Sequence, residues 1–128
     1  MSWIYTTKTF DRWAKKANLS DKALINAVLE MEKGIIHADL GGSLYKQRVP
    51  LPERGKRGSV RTIIAARIGD TYFFLYGYEK KEKDNITQPE MKMLRIIADG
   101  FLNYTKAQIK TALENKQLRE VKHNGQTC

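Results

Sequence analysis

Apolar and polar positions recur along this chain with two periods, and the points where the period changes mark its elements. Residues 3–7 alternate bulky and β-branched side chains and predict a first strand. From Thr9 the spacing turns helical, with Phe10, Trp13, Ala14 and Ala17 at i, i+3, i+4 and i+7. A second helix follows, capped by Ser20, striped by Leu24, Ala27, Val28 and Met31, and stopped by Gly34. Only Asn18-Leu19 separates the two, so they form a helical hairpin. Residues 35–42 show no period, and Gly41-Gly42 carries a turn signal. Residues 44–49 read as a strand ended by Pro50 and Pro52. Stronger strands at 60–67 and 71–78 flank Gly69-Asp70, which suits a two-residue type II′ hairpin turn. Thr87-Gln88-Pro89-Glu90 is a capping box opening a helix with Met91, Leu94, Ile97, Ala98, Phe101 and Leu102 as its stripe. A second box, Thr105 with Gln108, opens a last short helix carrying Ile109, Ala112 and Leu113.

The predicted order is β-α-α-β-β-β-α-α, with no repeat and no linker. That is an α+β fold: a small, mainly antiparallel sheet, the N-terminal helical hairpin on one face and the C-terminal helices partly covering the other. One domain is expected over residues 1–122, with a disordered polar tail over 123–128.

Pairing across the hairpin sharpens the picture. A two-residue turn at Gly69-Asp70 sets Arg67 opposite Tyr72, Ala65 opposite Phe74, Ile63 opposite Tyr76 and Arg61 opposite Tyr78. Directly paired residues share a face. One face then carries Val60, Thr62, Ile64 and Ala66 with Phe73, Leu75 and Gly77, and receives the helical hairpin. The other carries Arg61, Ile63, Ala65 and Arg67 with Tyr72, Phe74, Tyr76 and Tyr78. The helix after Thr87 covers its apolar middle and leaves the end with Arg61, Tyr76 and Tyr78 open. Lys46 and Arg48, two apart on the preceding strand, share a face, and Lys80 and Lys81 leave the end of the Tyr78 strand.

Charge points the same way. The chain of 128 residues has a net charge of +9. Residues 44–83 hold ten basic side chains (Lys46, Arg48, Arg54, Lys56, Arg57, Arg61, Arg67, Lys80, Lys81, Lys83) against four acids. About two thirds of the excess therefore lies in under a third of the chain, which favours a polyanion as partner. The basic loop 53–58 contributes Arg54, Lys56 and Arg57 as phosphate contacts; its GxxG shape lacks the Lys-Ser or Lys-Thr of a nucleotide phosphate loop.

Other classes are excluded. No apolar run approaches the ~20 residues that span a bilayer, and the first residues lack the pattern of a secretion signal. A cytosolic protein with no membrane partner is expected. Cys128 is the single cysteine, placed last in a polar stretch where neither a disulfide nor a catalytic thiol is expected. With two histidines and one cysteine there is no metal-ligand spacing, and nothing implies a cofactor.

Arginine offers a planar fork to phosphate oxygens, and tyrosine a stacking surface for an unpaired base. Cutting RNA requires a base for the 2′-OH, charge stabilisation at the pentacoordinate phosphate and an acid for the leaving 5′ oxygen. His37, in the segment before the sheet, reads as a surface residue, and His123 lies in the tail. A lysine crowded by like charges is the alternative base, since such crowding lowers its pKa. Lys and Arg runs also serve as plain solvated faces, and tyrosine is an ordinary strand residue.

Three segments carry a family resemblance: Leu44-Tyr45-Lys46-Gln47-Arg48, Ser59-Val60-Arg61-Thr62-Ile63-Ile64, and Phe74-Leu75-Tyr76-Gly77-Tyr78-Glu79-Lys80-Lys81. In these segments, and in element order over roughly residues 3–104, the chain resembles the RelE/HigB toxins of type II toxin–antitoxin systems. The resemblance implies a metal-independent endoribonuclease that cuts mRNA on the ribosome. Its implied partners are the ribosome, mRNA and a cognate helix-turn-helix antitoxin, with a toxin–antitoxin hetero-oligomer. Arg61 falls at the family's phosphate-contacting arginine, Lys46 and Arg48 at its strand pair, and Lys80 and Lys81 at the basic pair ending the last strand. Catalytic roles then fall to Lys46, Arg48, Arg61, Tyr78, Lys80 and Lys81, and RNA binding to Arg54, Lys56, Arg57, Tyr76 and Lys83. Here Ser59-Val60 replaces the family's Gly-Tyr before the arginine. ParE relatives share the fold yet inhibit gyrase, which keeps a gyrase inhibitor or a non-catalytic nucleic-acid-binding module as the alternative.

Overall fold

The computed structural model describes residues 2–51 and 58–122. Its elements are β1 (Trp3–Thr7), α1 (Lys8–Lys16), α2 (Asp21–Glu32), β2 (Ala38–Gly41), β3 (Leu44–Pro50), β4 (Ser59–Arg67), β5 (Thr71–Glu79), α3 (Gln88–Leu102), α4 (Lys106–Glu114) and β6 (Leu118–Glu120). The strands form a six-stranded sheet in the order β2-β3-β4-β5-β1-β6. Only β1 and β5 run parallel; the other four pairings are antiparallel. The two short edge strands, β2 and β6, lie where no periodicity predicted a strand.

Helix starts follow the side chains that satisfy their first N–H groups. Thr7 Oγ1 accepts from Phe10 N at 3.1 Å and Ser20 Oγ from Ala23 N at 3.2 Å. The Thr87–Glu90 and Thr105–Gln108 capping boxes are both closed.

The β4–β5 connection departs from the two-residue turn. Arg67 pairs with Thr71, leaving three residues between them. Asp70 N donates to Arg67 O at 2.9 Å, and Gly69 has φ of +85°, as the third position of a type II turn requires. The pairing near the turn is thus shifted by one: Ala66 faces Tyr72, Ala65 faces Phe73 and Ile64 faces Phe74. A bulge then leaves Leu75 without a partner, and from Ile63–Tyr76 to Arg61–Tyr78 the pairing matches the sequence expectation.

The bulge exchanges side chains between faces. Tyr72 and Phe74 join α1 and α2 residues in the core with Val60, Ile64 and Ala66. Phe73 and Leu75 join Ile63, Ala65 and Tyr78 against Leu94, Ala98 and Leu102 of α3. Phe73 stacks between Tyr5 at 5.3 Å and Phe101 at 5.2 Å. The expectation that Tyr72 and Phe74 share a face with Arg61 is corrected here. Tyr72 is buried on the opposite side, its hydroxyl accepting from Gly69 N at 2.7 Å and donating to Glu32 at 3.1 Å. Burial pushes its pKa up to about 12.

β1 pairs with β5 only as far as Phe74. Beyond it α1 lies against β5, and Gly77 makes room: a Cβ there would meet the Trp13 ring at 2.2 Å. This packing frees the far ends of β4 and β5 to present side chains on the α3 side.

Candidate nucleic-acid interface

Arg48, Arg61 and Tyr78 are directly paired across β3, β4 and β5. One step inward, Lys46, Ile63 and Tyr76 form the next row on the same face. Strands lie about 5 Å apart, so each row crosses about 10 Å of sheet. The order is cations on β3, Arg61 in the middle and tyrosines on β5.

Among the described residues, no carboxylate forms an ion pair with Lys46, Arg48 or Arg61. The Arg61 guanidinium is half-buried and makes one long contact, Nη1 to Ser59 Oγ at 3.4 Å. Three cations on one face, without a carboxylate partner among the described residues, form a ready anion site.

Tyr78 is only 3% exposed, and its hydroxyl is buried with no hydrogen-bond partner among the described residues. Burial raises its pKa, against the opposing pull of Arg61 and Lys83. Tyr76 is partly exposed, with its ring 6.1 Å from that of Tyr78. Its hydroxyl accepts from Lys83 Nζ and donates to Glu90, each at 3.3 Å. Lys83 is also ion-paired with Glu90 and stands 5.5 Å from the Tyr76 ring centroid. Glu90's pKa falls to about 2, chiefly because Lys83 donates to its carboxylate, and that bond raises Lys83's pKa. Lys83 is thus engaged in tying the segment after β5 to α3.

Lys80 and Lys81 lie exposed in the turn after β5, with Lys81 4.0 Å from Glu79. Arg54, Lys56 and Arg57 lie outside the described residues.

One residue that the periodicity passed over joins the cluster. His37 is placed at the edge of β3, where its N–H donates to Gln47 Oε1 at 3.0 Å and the Gln47 amide in turn donates to Ile35 O at 2.8 Å. Its pKa is lowered first by partial desolvation and then by the charges of Arg48, Lys46 and Arg61. It is therefore an exposed, largely neutral imidazole at pH 7 beside the cations. The signal was Gln47, a polar residue at a core-facing strand position, which needs a partner in the neighbouring segment.

The family model described as RelE toxin of RelE / RelB toxin-antitoxin system matches residues 2–121. The chain belongs to the RelE toxin family. The match runs from β1 through β6, so both rows of the basic face lie within it. A RelE toxin is one half of a toxin–antitoxin pair, which gives this chain a toxin's role and an antitoxin as partner. No curated protein matches the chain. Among the described residues no group of three His, Cys, Asp or Glu could hold a metal ion, and no helix is long and apolar enough to cross a membrane.

Proposed function

We propose that this RelE-family toxin is an endoribonuclease that cuts mRNA on the translating ribosome and is silenced by a helix-turn-helix antitoxin. The observation that carries the reading is the Arg48–Arg61–Tyr78 row, cationic, uncompensated among the described residues and bordered by His37.

In the reaction the 2′ oxygen bonds to phosphorus as the bond to the 5′ oxygen breaks, leaving a 2′,3′-cyclic phosphate. Arg61 stabilises the charge of the pentacoordinate phosphate, its fork matching two equatorial oxygens. Lys46 and Arg48 hold the flanking backbone. His37, its pKa lowered by partial desolvation and then by its cationic neighbours, takes the 2′ proton. Tyr76 supplies a stacking face, and the Tyr78 hydroxyl, buried next to Arg61 and unpartnered among the described residues, gives a proton to the leaving 5′ oxygen. Lys80 and Lys81 add backbone contacts beyond the strand end. In this reading the ribosome orients the substrate on the face.

Cleavage of a defined mRNA by wild-type and Arg61→Ala protein, each with and without programmed ribosomes, tests this. Ribosome-dependent cleavage by wild type is expected, with a loss of about 100-fold or more in the variant at unchanged fold. Intact mRNA in every lane would remove the nuclease reading and turn attention to gyrase. A graded, salt-dependent loss of RNA affinity without any cleavage would identify a binding module.

A further inference from the structure

The side of β5 that faces away from β4 is occupied at both ends and open in between. Ala66 N donates to Ser43 O, and Leu51 N donates to Gly58 O, which turns the backbone groups of Val60, Thr62 and Ile64 toward β3. Those of Arg61 and Ile63 therefore face β5, where Tyr78 and Tyr76 are their partners. Alternation then points the N–H and C=O of Gly77 away from β4. β1 pairs with β5 only as far as Phe74. At the other end Glu79 N donates to Glu82 Oε1 at 3.4 Å, and Glu79 O accepts from Glu82 N and Lys83 N. Between these ends Gly77 presents one donor and one acceptor, and among the described residues no bond from outside the β4–β5 pairing reaches either.

The two groups border a pocket of about 310 Å³ lined by Phe10 and Trp13 of α1, Gly77, Glu82 and Lys83. Trp13 is partly exposed, and its ring lies so close to Gly77 that no side chain fits there. Tyr76 and Tyr78 also line the pocket, which makes it continuous with the basic face. Lys83 is held by Glu90, whereas Glu82 forms no ion pair among the described residues. An aromatic wall beside an unpaired backbone donor and acceptor offers what a nucleobase needs, stacking and edge hydrogen bonds. A peptide strand is the other partner of a sheet edge, but it needs several outward residues. Here a single residue is left.

We propose that this pocket holds an unpaired base of the RNA lying on the basic face and selects bases that carry an amino group. The proposal rests on the RNA part of the reading above. The base stacks on Trp13. Its edge accepts from Gly77 N–H and donates to Gly77 O, and its amino group reaches Glu82, which stands beyond Gly77 O beside Glu79 N–H. Adenine, cytosine and guanine each bring that amino group. Uracil brings a carbonyl against the carboxylate, and the unpaired acceptors weaken its binding.

The test uses the full chain in a Trp3→Phe background, which leaves Trp13 as its one indole, with melting curves as fold controls. Uncleavable 2′-O-methyl trinucleotides of each base, titrated at low salt, are expected to quench Trp13 emission. The uracil probe is expected to bind about 10-fold more weakly than the adenine probe. Glu82→Gln is expected to bring the two within about 2-fold, and to raise ribosome-dependent cleavage beside uracil by a similar factor. Trp13→Leu, followed by anisotropy of a labelled adenine probe, is expected to bind about 10-fold more weakly. If that variant does not fold, Glu82→Gln carries the test, because Glu82 is exposed. Equal binding of all four probes by the Trp3→Phe protein, or a uniform gain for all four in Glu82→Gln, overturns the proposal. Absence of quenching by every probe overturns it too, as does quenching by the antitoxin alone, which would make the edge a peptide site. Selective quenching in a protein that cuts no mRNA would sink the nuclease reading and leave the pocket standing. Ribosome-dependent cleavage without any quenching would do the reverse.

Discussion

At the scale of single residues, the basic face is governed by which groups lack a partner. Among the described residues the buried Tyr78 hydroxyl has none, so removing it loses no hydrogen bond to them and relieves a desolvated dipole. Tyr78→Phe is expected to leave thermal stability unchanged within about 0.5 kcal/mol, or to raise it, while cleavage falls if the hydroxyl orients the scissile group. A marked drop in melting temperature would mean the hydroxyl has a partner in solution. His37 makes a pH prediction. Desolvation and then the charges of Arg48, Lys46 and Arg61 lower its folded pKa below the ordinary value of 6.5. The unfolded chain therefore binds the proton more readily, and His37's contribution to stability is lost as pH falls through its ordinary pKa and then its folded pKa. For the same reason the neutral base persists to lower pH than in a free histidine. Cleavage should show an acid limb below 6.5 that is absent from the residual rate of His37→Gln. An identical limb in both proteins would assign the base elsewhere.

At the scale of elements, the bulge at Leu75 and the packing of α1 on Gly77 decide where the site lies. Four residues of β5 beyond the turn, Tyr72 to Leu75, lie on the face opposite to the one expected, and the bulge restores the pairing that puts Tyr78 beside Arg61. At Gly77 the Trp13 ring lies too close for a side chain, since a Cβ there would sit 2.2 Å from a ring carbon. Gly77→Ala must push α1 away or twist β5, at a cost of about 1–3 kcal/mol as in other overpacked cores. Urea denaturation of the variant should show that loss; a midpoint equal to wild type would mean that α1 shifts freely.

At the scale of the whole molecule, residues far apart in the chain close the fold. β6 pairs with β1, and its Arg119 reaches Asp11 of α1 and Asp21 of α2, each at 2.9 Å through separate nitrogens. Arg67 donates to Leu102 O at 2.7 Å, and Arg95 donates to Leu40 O at 2.7 Å, tying α3 to both ends of the β2–β4 meander. Arg119→Ala is expected to lower stability by about 1 kcal/mol, since the fork is partly exposed and screened by salt. The loss should shrink in high salt, and a salt-independent loss would place the effect in packing of the arginine stem.

The sequence by itself determined the helices, their caps, the three long strands and the cationic strip, because each rests on residues close together in the chain. Ser20, Thr87 with Glu90, and Thr105 with Gln108 cap helices through bonds three residues long. It also paired Arg61 with Tyr78, although the turn and the bulge that restore that pairing went unseen. β2 and β6 escaped notice because three or four residues carry no period, and their pairing partners supply the missing hydrogen bonds. The parallel placement of β1 beside β5, the approach of His37 to the cations and the engagement of Lys83 by Glu90 were decided only by tertiary structure. Each depends on contacts between distant segments, and periodicity within one segment reports which residues are apolar but not which surface finally covers them.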